Sequence, residues 1–128
     1  MAKKRLRKVG GYFMNNIKND KNYMRKVIED ITTINKYMTG VETYEQFISD
    51  DILIDAVMFR LVQMIENIKK ISIEYKENNH QIEWGKIIGF RNGIVHEYGE
   101  TDYTIVYETI RNNLPQLIEL FEDYLDNL

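Results

Sequence analysis

The chain contains no cysteine, which removes disulfides and thiolate metal sites together. A single proline in 128 residues, beside many Ile, Leu, Lys and Glu, disfavours a turn-rich β fold and favours helix. No apolar run approaches the roughly 20 residues that a membrane span needs. The opening "MAKKRLRKVGGYF" is charged but has no apolar block behind it, so it does not read as a secretory signal. Histidine is scarce, with two residues, so a zinc site would need several carboxylates, and no metal or other cofactor is expected. A glycine-rich phosphate loop, a paired-histidine metal motif and a Ser-centred nucleophile elbow are all missing. What remains is one helical domain of ordinary cytoplasmic composition, long enough to bury a single core.

The net charge of −3 conceals an asymmetry. Residues 1–26 carry nine Lys/Arg against one acid, Asp20, and the rest of the chain carries 8 basic and 19 acidic side chains. A basic arm on an acidic body can reach for phosphates. It can equally be a disordered or non-native leader, because Met14 opens a plausible chain of its own. The expected division is therefore a basic leader over residues 1–18 and a helical domain over residues 19–128.

Met24, Val27, Ile28, Ile31, Ile34 and Met38 recur at helical spacing, with Asp20 as a candidate N-cap and Gly40 as a stop, predicting a helix over about 21–39. Thr43 and Gln46 have capping-box spacing and predict one short helical turn. Ser49 is then the expected cap of the longest element, about 50–76. The first half of that element is apolar nearly all round, from Ile52 to Val62. One bundle of this size cannot cover such a helix on every side, so a homodimer is expected. "NNHQ" at 78–81 is a polar break, with His80 read as solvent-exposed and without a role. A helix is predicted over about 84–98 with Gly99 at its end, and Asp102 caps the last region. Pro115 should kink or restart that last helix near Asn112–Leu114. The fold class is all-α, an up-and-down bundle of four main helices plus a short one.

"GFRNGIVHEYGE", residues 89–100, crowds hydrogen-bonding groups into a helical segment. Asn92 and His96 are four apart and therefore neighbours on a helix, and Arg91 and Tyr98 are two turns apart on nearly the same face. Arg91 and His96 are five apart, roughly 140° around the axis, so only a long side chain could bring a guanidinium back to the imidazole. Histidine exchanges protons near neutral pH, and arginine offers phosphate a planar fork of donors. RNA supplies its own nucleophile in the 2′-OH, so these groups suit phosphodiester cleavage. They also suit a structural role in which Arg91 pairs with a carboxylate such as Glu66 while His96 and Tyr98 finish a helix. Residue chemistry leaves both open.

"RNGIVHEY" fits the R-x4-H-x-Y pattern, and the chain resembles the HepT-like toxins, a branch of the HEPN helical ribonucleases. The resemblance is carried further by Trp84, by "KIIG" at 86–89 and by "NNLPQL" at 112–117, and more loosely by "IDAVMFRLVQMIENIKKIS", covering about residues 21–126. It implies a HEPN-type homodimeric bundle acting as a metal-independent RNase, with RNA rather than DNA as substrate. The family's typical setting is a two-gene system whose antitoxin, a small MNT-type nucleotidyltransferase, can transfer AMP to the tyrosine of the motif. Carried over, Arg91 stabilises the phosphate, His96 is the general acid/base, Asn92 fills the polar position after the arginine, Glu66 matches the acidic position of the central helix, and Tyr98 is the AMPylation target.

Four positions depart from the family pattern. Phe59 stands where an arginine is frequent, with Arg60 one place along, and Ile65 stands where a small residue precedes the acid. Glu83 replaces a frequent proline, and Gly93 interrupts the motif helix at a cost of up to about 1 kcal/mol. The altered central helix keeps an alternative alive, a non-catalytic module that binds a nucleotidyltransferase partner or a nucleotide.

Overall fold

A computed structural model describes residues 10–94 and 102–127, with side chains over 16–90 and 102–127. Its elements are α1 (Gly10–Tyr37), α2 (Tyr44–Ile48), α3 (Asp51–Lys69), α4 (Ile73–Asn78), α5 (Trp84–Ile94) and α6 (Tyr103–Glu108), then a π-helical turn (Thr109–Asn113) and α7 (Leu114–Asp126). The protein is all-α, and among the described residues there is no strand. No described helix is long and apolar enough to cross a membrane.

Four local signals act where expected. Thr43 Oγ1 accepts from the Gln46 N–H while Gln46 Oε1 accepts from the Thr43 N–H, closing the capping box of α2. Asp102 caps α6 by accepting from the Thr104 N–H. Ahead of Pro115 the helix widens, and the Leu114 N–H donates to the Thr109 carbonyl five residues back. A proline removes one donor and pushes away the carbonyl four residues earlier, and the π turn absorbs that disturbance without ending the helix. Gly40, at φ +85, turns the chain after α1.

Three boundaries differ from the sequence expectation. Helix α1 begins at Gly10 rather than near residue 21, so Asp20 lies inside a helix and is not its N-cap. The cap of α3 is Asp50, whose Oδ1 accepts from the Leu53 N–H, while Ser49 finishes α2 by donating from its hydroxyl to the Gln46 carbonyl. The long element expected to reach residue 76 stops at Lys69 and restarts as α4. Asp20 causes that break, because its two oxygens accept from the Ser72 N–H at 2.8 Å and the Ser72 hydroxyl at 2.5 Å. The same hydroxyl accepts from the Tyr75 N–H, so a carboxylate on α1 supports the first turn of α4.

Helix α3 is the centre of the bundle. It packs along α1 and also carries α2 and α5, while α7 closes against α1. Contacts of Asp20 with Ser72 and of Asp30 with Arg60 run in opposite chain directions, so α1 and α3 are antiparallel. The core is apolar and continuous, with Met24, Ile31, Phe47, Leu61, Ile65 and Phe121 fully buried. One chain leaves part of α3 uncovered. Ile52 and Phe59, seven residues apart on one face, remain 84% and 63% exposed.

Asp30 is buried between α1 and α3, ion-paired to Arg60 at 3.1 Å and accepting from the Asn67 amide at 3.3 Å. Burial pushes its carboxyl above the ordinary value of 3.8, although both partners pull the other way. A carboxylate raised on folding contributes stability that is complete below its unfolded pKa and is lost as pH rises through the folded one. Asp30→Asn cannot ionise and escapes that loss. Its melting temperature relative to the parent should therefore climb between pH 4 and pH 7, and a constant difference in thermal melts would contradict the assignment.

Candidate active site

The polar cluster of the sequence belongs to α5 and the segment after it, so the anchoring of α5 decides where that cluster is held. Trp84 opens the helix and is almost fully buried. Its indole N–H is shared between the Lys76 carbonyl at 3.1 Å and the Asn79 carbonyl at 3.0 Å. The ring stacks on Phe121 with centroids 6.1 Å apart and meets Tyr75 edge-on at 6.0 Å. Ile87 and Phe90 continue the buried face, and α5 packs against α3.

Arg91 and Asn92 occupy the last turn of α5. Arg91 falls seven residues after Trp84 and four after Ile87, which is the helical register of the buried face. Asn92 follows about 100° further round. The side chains of Arg91 and Asn92, together with His96 and Tyr98, lie outside the described residues. Glu66 sits on α3, the helix that α5 packs against, and is half-buried with its Oε1 enclosed and 3.8 Å from the Lys69 ammonium.

The departures in the central helix acquire local explanations. Arg60 turns to α1 and serves Asp30, Phe59 projects outward, and Ile65 is fully buried in the core. His80 is exposed on the turn before α5, as expected. Among the described residues no cluster of three His, Asp or Glu side chains could hold a metal ion. Asp20 and Asp30 were not recognised as structural carboxylates from sequence. Asp30 did leave a signal, since it stands three residues after Val27 and beside Ile31 on an otherwise apolar stripe.

The model of the Ribonuclease HepT-like family matches residues 27–124, which includes the whole of α3 and α5, most of α7 and the segment between Arg91 and Tyr98. The chain belongs to the HepT-like family. It is by that membership a ribonuclease of the HEPN type. A candidate RNase of Caldanaerobacter subterraneus subsp. tengcongensis is 26% identical over 109 residues, covering 85% of this chain and 96% of the relative. Another, from Methanocaldococcus jannaschii, is 30% identical over 101 residues, covering 79% of this chain and 84% of the relative. The probable ribonuclease HepT of Thermococcus cleftensis is 26% identical over 102 residues, covering 80% and 92%. No solved structure matches the chain.

Proposed function

We propose that this HepT-like protein is the toxin of a toxin–antitoxin pair, a metal-independent endoribonuclease working through Arg91 and His96. The observation that carries the proposal is the family match across residues 27–124, which encloses an intact R-x4-H-x-Y segment at 91–98. In the proposed reaction His96 takes the proton of a ribose 2′-OH, whose oxygen attacks the adjacent phosphorus. The bond to the 5′-oxygen of the next nucleotide breaks, and that oxygen leaves with the proton that His96 had taken. Arg91 neutralises the charge that gathers on the phosphoryl oxygens. The products are a 2′,3′-cyclic phosphate end and a 5′-hydroxyl end. Asn92, four residues before His96, orients the imidazole, and Glu66 supports the site from α3.

The active form is a homodimer in the cytoplasm, and the exposed Ile52 and Phe59 supply an apolar strip on α3 for a second copy. The cognate antitoxin is an MNT-type nucleotidyltransferase that places AMP on Tyr98 and silences the site. The test uses the whole chain, free of any partner, incubated with tRNA and mRNA in EDTA. Cutting that leaves a cyclic phosphate end is expected. Intact RNA after incubation with protein whose Tyr98 carries no AMP by mass spectrometry would overturn the nuclease assignment and favour a binding module.

A further inference from the structure

Away from the Arg91–Tyr98 segment, two lysines from different elements converge on one tyrosine. The Lys26 ammonium lies 5.4 Å from the centroid of the Tyr23 ring, and the Lys70 ammonium lies 5.7 Å from the same centroid. Lys26 is one helical turn beyond Tyr23 on α1, whereas Lys70 terminates α3. The antiparallel packing of those helices brings both lysines to the same ring. Both lysines are exposed, and among the described residues neither makes an ion pair.

Two like charges at one ring repel each other, and at an exposed site the negative face of the aromatic holds a cation only weakly. An anion bound at the ring would offset that repulsion. A groove of about 430 Å³ opens beside Tyr23 and Lys70, which line it with the amides of Asn16 and Asn19, while Lys26 lies on the ring outside its wall. Asp20 also lines it, but both of its oxygens are taken by Ser72. Glu74 is the other acid on the wall. Tyr23 and Lys26 belong to the part of the chain, residues 1–26, that carries nine basic side chains against one acid. Lys70 also follows Glu66 by four residues, one turn along α3 from the acidic position of the proposed site.

We propose that Tyr23, Lys26 and Lys70 form a phosphodiester-binding station that holds the RNA strand outside the cleavage site. The station rests on the ribonuclease reading but is separable from it, because it concerns binding of the backbone and not the chemistry at His96. Phosphate contacts of this kind fix the register of a strand without reading its bases.

The test pairs binding with turnover. Full-length protein is titrated with fluorescein-labelled 2′-O-methyl RNA, which cannot be cut, by anisotropy over a salt series. In K26A/K70A, Kd should rise by roughly tenfold at low salt, and the slope of log Kd against log salt should fall by roughly 1.4, as for two lost single-strand phosphate contacts. With cleavable RNA, KM should rise similarly while kcat holds. K26R/K70R should restore binding, and K36A, which removes a charge ten residues further along α1, should leave it unchanged. Equal losses in K26A/K70A and K36A, or an unaltered salt slope, would overturn the station. Lysine-dependent RNA binding without any cleavage would sustain it while removing the nuclease reading. Failure of the parent to bind RNA at all would remove both.

Discussion

Replacing His96 with alanine should lower RNA cleavage by about 10²–10⁴-fold, the range that a positioned proton-transfer group contributes. Arg91→Ala should cost about 10²–10³-fold, because the proposed mechanism loses its donors to the phosphoryl oxygens. Arg91→Lys keeps the charge but not the fork, so it should recover only part of that loss. Single-turnover rates in EDTA, on variants whose helical circular dichroism and melting match the parent, would measure all three. The double variant should be little slower than the worse single one, because the two groups act on the same transition state. Cleavage persisting at parental rates in either alanine variant would sink the assignment. The folding control is necessary because a polar group near the end of a packed helix can serve stability as well as chemistry.

The second large effect is structural and concerns Trp84. Its ring is nearly fully buried against Phe121 and Tyr75, and its N–H closes the carbonyls at the end of α4. Trp84→Ala should lower the unfolding free energy by about 3–5 kcal/mol through lost contacts and the cavity left behind. Trp84→Phe keeps a ring for the stack and gives up the shared hydrogen bond, so its cost should be nearer about 1–2 kcal/mol. Because Trp84 is the single tryptophan, urea unfolding has to be followed by circular dichroism rather than fluorescence. A loss below about 1 kcal/mol in Trp84→Ala would mean that the ring does not hold α5 in place. A fully stable Trp84→Phe with reduced cleavage would show instead that the start of α5 sets the position of Arg91.

Taken together, the two predictions divide α5 between its ends. The first turn is held by aromatic packing and two carbonyls, and the last turn delivers Arg91 and Asn92. An anchor at one end of an eleven-residue helix limits where the other end can go. That arrangement suits a site requiring close placement of charged groups.

Sequence by itself determined whatever is decided within a few residues. The capping box of Thr43 and Gln46, the cap at Asp102, the turn at Gly40 and the disturbance ahead of Pro115 all depend on neighbours along the chain. The candidate site was legible for a different reason, since R-x4-H-x-Y and its flanks are themselves a local pattern. Tertiary structure alone decided the fate of the acids in α1. Asp20 looked like a cap for its own helix, but its carboxylate serves Ser72, fifty-two residues away, and divides the long helix there. Asp30 gathers Arg60 and Asn67 from the facing helix, which turns Arg60 away from the exposed side of α3. A hydrogen bond between helices depends on which faces the packing brings together, and one chain's periodicity does not specify that pairing. Tyr23, Lys26 and Lys70 meet for the same reason, because two antiparallel helices happen to end a lysine beside a tyrosine.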